Sequence, residues 1–157
     1  MRVGIGYDVH RLVPGRRLVL GGVEIQSDSG LSGYSDADVL THAIMDALLG
    51  AAGLRDIGSQ FPTDDPKYKD ISSLVLLDEV GKLLKAEGFR VGNVDAVVVA
   101  QQPRISPFID DMRGHISRTL GVNLNQVMIK ATTTEGLGLA GRGEGIAAYA
   151  VALVEEG

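Results

Sequence analysis

The sequence predicts a single domain of alternating strands and helices, α/β or α+β in class, and three observations lead there. Five segments read as strands and three as helices, in mixed order along the chain. The 157 residues match one ordinary domain, with no internal repeat, low-complexity tract or long linker to divide them. The composition is globular, 45% hydrophobic and 22% charged. With only 4% aromatics and no Trp, the core must come from Val, Leu, Ile and Ala; the 21 Gly point to backbone positions of close approach or unusual dihedrals.

Residues 2–13 alternate sharply. Val3, Ile5, Tyr7 and Val9 share one face, and Gly4, Gly6, Asp8 and His10 the other. Residues 17–25 read as a hairpin turning at Gly21-Gly22. Residues 37–52 carry Val39, Ala43, Ala47 and Ala51 at helical spacing, with Ile44 and Leu48 beside them. A second helix over 73–87 turns Leu76, Val80, Leu83 and Leu84 inward and stops at Gly88. Residues 93–101 form a strand, and a third helix opens at Ser106-Pro107, runs on Ile109, Met112, Ile116 and Leu120, and ends at Gly121. Residues 126–134 and 145–154 are the last strands; an Ala-rich helix is the alternative for the second of these. Read as a strand, 145–154 is apolar on both faces, and 94–100 nearly so. Three helices leave one sheet face bare, so another subunit is expected to cover it.

Fifteen basic against 20 acidic residues leave a net charge of −5, which argues against a general nucleic-acid binder but not against a small phosphate ligand. Without Cys there are no disulfides and no thiolate metal sites. The start, MRVGIGYDVHR, lacks the order of a signal peptide, and no apolar run is long enough to span a bilayer, so a soluble protein with a cytoplasmic address is expected.

Two constellations could carry chemistry. Asp8 and His10, two apart on a strand, point the same way, and the glycines before them are expected to leave that face open; His42 on the first helix could supply a third ligand. Two imidazoles and a carboxylate suit a catalytic zinc that keeps one position open; the alternative is that the histidines are unrelated polar residues. Asp46, one turn beyond His42, could orient it or touch substrate. Asp38 reads as a helix-start residue, and His115 as a surface histidine. Ala131-Thr-Thr-Thr-Glu135 and the glycine-rich run to Gly145 offer hydroxyls, free backbone N–H groups and Arg142, as phosphate oxygens require, and Glu135 could hold Mg²⁺ against them; a plain turn is the alternative. Gly136, Gly138 and Gly141 spell the dinucleotide fingerprint, but the chain ends before the strand and acidic residue it needs. Tyr34–Asp38 and Asp56–Pro66 read as polar loops.

Taken together, RVGIGYDVHRL, SDADVLTHAIMDALLGAAGLRDIG, GNVDAVVVAQQP and IKATTTEGLGLAGRGEGIAAYAVAL resemble, in order and spacing, the 2-C-methyl-D-erythritol 2,4-cyclodiphosphate synthase family of the non-mevalonate isoprenoid pathway. The resemblance spans essentially the whole chain. It implies an α+β fold of two layers, a mixed sheet with three helices on one face, assembled as a homotrimer with active sites between subunits. It implies conversion of a cytidine diphosphate ester to a cyclic diphosphate with release of CMP. By position, Asp8, His10 and His42 match zinc ligands, and Glu135 the carboxylate for Mg²⁺ or Mn²⁺. Thr133 matches a residue that aligns the transferring phosphate. Asp56, Ile57 and Gly58 fall where sugar moieties are held, and Phe61 to Asp65 match a mobile loop. Residues 100–106, with Ala100, Arg104 and Ser106, and residues 131–133, Ala131, Thr132 and Thr133, match the cytosine pocket; Thr134 belongs with the substrate contacts, and Leu139 and Arg142 match substrate-side positions. Ser35 belongs with the substrate contacts.

Three positions depart from that pattern. Tyr34 stands where the family usually has His, so it can donate a neutral hydrogen bond but carries no positive charge. The loop reads Phe61-Pro-Thr-Asp-Asp65 instead of Phe-Pro-Asp-Thr-Asp, which puts the sugar contact on Asp64, and Arg104 replaces the usual Lys or similar residue.

Overall fold

The alternating apolar segments pair into strands β1 (Arg2–Pro14), β2 (Leu18–Leu20), β3 (Val23–Ile25), β4 (Ser29–Leu31), β5 (Phe89–Val99), β6 (Val127–Thr132) and β7 (Gly145–Glu156) in a computed structural model that describes residues 1–157. Between them lie helices α1 (Val39–Ala52), α2 (Ile57–Gln60), α3 (Ser73–Ala86), α4 (Ile109–Leu120) and α5 (Gly138–Gly141). Five strands form one mixed sheet in the order β4-β1-β7-β5-β6, while β2 and β3 make a separate ribbon. β7 runs antiparallel to both β1 and β5. β6 runs parallel to β5, as a crossover through α4 requires. The last segment is therefore a strand and not an Ala-rich helix.

Helices α1, α3 and α4 pack on one face of this sheet, the α+β two-layer arrangement expected. α1 packs against both the sheet and α3, and all its residues except Asp46 and Gly50 are buried. Its start is later than the apolar periodicity suggested: Ala37 has φ 58°, and Asp38 is the cap. Asp38 is fully buried and accepts from Thr41 N (3.0 Å), Thr41 Oγ1 (2.8 Å), Gly21 N (2.9 Å) and Gly22 N (2.8 Å). It thus ties the β2–β3 turn to the helix and is more than a residue beside the helix dipole. Burial, aided by the charge of Asp36, pushes its carboxyl up against those donors. Ser106–Phe108 is a 3₁₀ turn that leads into α4, which itself begins at Ile109.

The face assignment of β1 differs from the expected openness. Gly4 and Gly6 are not open: a Cβ on Gly4 would lie 2.0 Å from the Ala47 carbonyl oxygen, and one on Gly6 1.9 Å from that of Ala43. The glycines let α1 approach the sheet, and only beyond them does the inner face open at Asp8 and His10. On the opposite face Val3, Ile5, Tyr7, Tyr149 and Val151 are exposed, with Tyr7 and Tyr149 rings 4.8 Å apart. The bare, two-sided apolar sheet read from sequence is present. No helix is long and apolar enough to cross a membrane.

Candidate active site

Strand geometry puts Asp8 and His10 on the inner face beside the first turn of α1, where His42 is buried. One ligand atom from each of Asp8, His10 and His42 lies within 4.8 Å of the others. Asp8 Oδ2 is 2.8 Å from His10 Nε2 and 3.1 Å from His42 Nδ1, and these two nitrogens are 3.3 Å apart. The far nitrogen of His10 faces the Ser32 carbonyl oxygen at 2.7 Å, which can only accept, so Nδ1 carries a proton; Nε2 donates to Asp8 while the ring is protonated and is bare, free to meet an ion, when the ring is neutral. Burial alone would raise the Asp8 carboxyl, but hydrogen bonds from His10 and His42, with their charges, hold it down at about 2. Burial likewise lowers His10, and its bond to Asp8 and the charge there more than offset this, raising it. Two nitrogens and one oxygen converging in this way fit a divalent metal ion with an open coordination position.

The cluster lies in a cavity of about 180 Å³, also lined by Tyr34, Ser35, Ile57, Gly58, Phe61 and Thr63. The Tyr34 hydroxyl donates to the Asp65 carbonyl at 3.2 Å and so fastens the 61–65 loop. Thr63 lines the cavity; Asp64, expected to face the sugar, is exposed and outside the lining, and Asp65 turns its carboxylate to Lys67 N at 3.1 Å. Asp46 does not reach His42: its Oδ1 accepts from Ile57 N at 2.8 Å and so places the start of α2, while Asp56 caps that helix through Ser59 N at 2.9 Å. Burial pushes the Asp46 carboxyl up.

A second cavity, about 520 Å³, is lined by residues 100–106 and 131–133. It brings together Ala100, Arg104, Ser106, Ala131, Thr132 and Thr133, the whole stretch expected to seat a base. Arg104 Nε donates to Ser106 Oγ at 3.1 Å. The register sets Asp8 opposite Ala148, Ala148 opposite Val98, and Val98 opposite Ala131. Three strand spacings, roughly 14 Å in all, therefore separate the metal ligands from this cavity at the same end of the sheet.

Residues 1–155 match the YgbB family. The chain belongs to the YgbB family. Over 157 residues, 100% of both chains, it is 63% identical to 2-C-methyl-D-erythritol 2,4-cyclodiphosphate synthase of Desulforamulus reducens. The bifunctional IspDF from Campylobacter jejuni superimposes with a TM-score of 0.95 at 40% identity, covering 99% of this chain and 42% of that longer one. IspF of Plasmodium falciparum, in a CDP complex, gives 0.87 at 34% identity over 99% of this chain and 96% of that one.

The remaining YgbB motif positions are looser. The glycine-rich run is not a plain turn throughout, since Gly138–Gly141 forms the single helical turn α5. Glu135 is exposed with φ 55°, and its N–H donates to Thr133 Oγ1 at 3.2 Å. The Thr134 hydroxyl donates to the Leu137 carbonyl. Arg142 pairs with Glu144 at 2.8 Å, and Leu139 lines a shallow cavity with His10 and Val9. In a single chain neither Glu135 nor Arg142 lines the metal cavity. Two residues that sequence reasoning missed stand directly behind His42: Ser73, with Oγ 2.9 Å from Nε2, and Asp36, which accepts from the Ser73 hydroxyl. The only local signal was Ser72-Ser73 as a helix start, which says nothing about a histidine 31 residues away.

Proposed function

We propose that this chain converts 4-diphosphocytidyl-2-C-methyl-D-erythritol 2-phosphate to 2-C-methyl-D-erythritol 2,4-cyclodiphosphate and CMP, as a homotrimer in the cytoplasm. The observation that carries this is the Asp8–His10–His42 cluster, preformed in a chain 63% identical over its full length to a synthase of that name. An oxygen of the 2-phosphate attacks the β-phosphorus of the same molecule. The new P–O bond forms as the bond from the β-phosphorus to the CMP phosphate oxygen breaks, and CMP departs with that electron pair. Atoms balance without water, and a phosphate dianion is already a nucleophile near neutral pH, so no general base is needed. What the protein must supply is position and charge neutralisation.

Asp8, His10 and His42 would hold Zn²⁺ or another divalent transition metal, and Glu135, with substrate phosphates completing the shell, Mg²⁺ or Mn²⁺; bound there, such ions withdraw charge from the phosphate oxygens. Thr133 Oγ1 orients the transferring phosphate. Tyr34 and Ser35 border the attacking phosphate; Ile57, Gly58 and Phe61 line the methylerythritol end, and Asp56, Asp64 and Asp65 lie on the segments that flank it. Backbone groups of 100–106, with Arg104, Ser106, Thr132 and Thr134, take the cytidine, and Leu139 and Arg142 flank the diphosphate. The bare face of Val3, Ile5, Tyr7, Tyr149 and Val151 supports a trimer that buries it. The distance between the two cavities supports sites completed between subunits.

The test is incubation of the purified chain with the cytidylyl substrate, with and without Mg²⁺ and a zinc chelator, followed by phosphorus NMR. Coupled signals of a cyclic diphosphate plus CMP, lost without Mg²⁺ or on chelation, are expected. Release of free phosphate would make the chain a phosphohydrolase and end this reading.

A further inference from the structure

The two histidines of the cluster are held from behind by different means. His10 leans on a backbone carbonyl, which no substitution removes. His42 leans on side chains. Its Nε2 is 2.9 Å from Ser73 Oγ and 3.1 Å from Ser35 Oγ, and Ser73 is fully buried.

A serine hydroxyl has one proton to give. That of Ser73 lies against Asp36 Oδ1 in a short contact with a carboxylate, which only accepts. The proton therefore goes to Asp36, and the oxygen turns a lone pair to His42 Nε2. Two lone pairs at that distance would repel, so Nε2 must carry the proton and donate. In a neutral imidazole this leaves Nδ1 bare, and Nδ1 is the atom that faces Asp8 and His10. Ser35 does not decide the matter, because its oxygen, already taking the Ala37 N–H at 3.2 Å, can accept a shared proton or give its own.

Asp36 is itself anchored and cannot follow a moving ring. Its Oδ2 accepts the Ser73 N–H at 3.0 Å and its Oδ1 the Asp38 N–H at 3.1 Å. It thereby caps α3 from a distant loop, in place of Ser72, whose side chain makes no cap bond. Arg16 holds the same loop by donating to the Gly33 and Ser35 carbonyls at 3.0 and 2.7 Å.

We propose that Ser73 and Asp36 are positioning residues for the metal centre, a hydroxyl–carboxylate relay that fixes the ring of His42 with Nδ1 bare and aimed at the ion. This rests on the reading of Asp8, His10 and His42 as metal ligands. Outer partners of ligating histidines typically account for about 10–100-fold in metal affinity.

The test uses chelator-stripped chain titrated with Co²⁺, followed by calorimetry and by the visible absorption band of the bound ion. Ser73→Ala is expected to bind Co²⁺ about 10–100-fold more weakly, with an altered band. Its metal-free unfolding midpoint should stay near the parent's, because the backbone N–H still reaches Asp36. Ser73→Thr, which restores the hydroxyl, should recover most of the affinity, and Asp36→Asn, still able to accept one of the two N–H bonds, should lose part of it. Parent-like Co²⁺ affinity and spectrum in Ser73→Ala overturn the proposal; should that variant not fold, parent-like binding by Asp36→Asn does so. A weakened Ser73→Ala whose metal-free midpoint falls in parallel, and which Thr does not rescue, makes the role structural and overturns it equally. A parent chain that takes up no Co²⁺ overturns the metal reading and this inference together.

Discussion

The metal cavity and the cavity of residues 100–106 and 131–133 sit at one end of the same sheet, yet they are built in opposite ways. Around the first, the polar atoms of the ligands already have partners: His10 on Ser32, His42 on Ser73 and Ser35, and Asp8 between both rings. The second is wider and formed by loop and strand-end backbone, with Arg104, Ser106, Thr132 and Thr133 exposed to solvent. Groups that gather charge must be fixed before a ligand arrives, because turning them afterwards would cost what the bound ion gains. A surface that reads a nucleotide edge can leave its groups to water until the ligand replaces it.

That contrast can be broken most severely at the metal cavity. His42→Ala should lower turnover by at least about 10³-fold, well beyond the loss expected from an outer partner, and abolish metal uptake. A variant that keeps both within tenfold would remove the cluster from the reaction. Next is the floor beneath it. The Cβ of Gly6→Ala meets the Ala43 carbonyl oxygen at 1.9 Å, and α1, which carries His42, must shift. Denaturant unfolding should show a loss of about 3 kcal/mol or more, since backbone cannot yield as a side chain does; a loss below half of that would mean the helix rides freely over the sheet.

Arg104→Ala addresses the second cavity and should raise KM about tenfold with kcat little changed, as loss of uniform binding does. The reverse pattern, kcat down at constant KM, would give this loop a part in the chemistry. Tyr34→Phe removes one neutral hydrogen bond to the 61–65 loop, worth about 1 kcal/mol. Turnover should fall about fivefold with metal uptake intact, and wild-type turnover would show that the hydroxyl has no role.

The smallest effect concerns pH in the metal-free chain. His10 is raised above its ordinary 6.5, so its pairing stabilises fully below 6.5 and is lost as pH rises through its folded value. Asp8 is lowered from 3.8 to about 2, so its contribution is present above 3.8 and lost as pH falls towards 2. Thermal unfolding of metal-free chain should therefore peak between these limits, and the alkaline decline should be smaller in His10→Gln. An equal decline in both would assign it to other groups.

Much of this molecule was legible in the chain. Alternation in 2–13 placed Asp8 and His10 side by side, and the apolar spacing of 37–52 supplied the helix that brings His42 to them. Gly21 and Gly22, with φ 55° and 74°, marked a turn, as the sequence indicated. The doubly apolar 145–154 segment was read as a strand, with an Ala-rich helix as the alternative, and the structure makes it a strand in the middle of the sheet. Of the two roles read for Asp46, orienting His42 was misjudged, since spacing put it on the same side of α1 as His42 but could not foresee that Ile57 N–H would claim it. Glycine was misjudged too. The pattern grouped Gly4 and Gly6 with the site face, and a missing side chain looks like open space until a helix is known to lie there.

By itself the sequence determined which residues share a strand face or a helix turn, and so which side chains were available for a metal and a phosphate. Those are consequences of periods of two and 3.6 residues, fixed by backbone geometry over short stretches. Tertiary structure alone decided that the glycine face is covered by α1, that Asp38 binds the β2–β3 turn, and that Ser73 and Asp36 stand behind His42. Each of these joins residues at least 16 apart in the chain, and no local pattern encodes them. They arise when buried polar groups must find partners among whatever the packed core brings within reach.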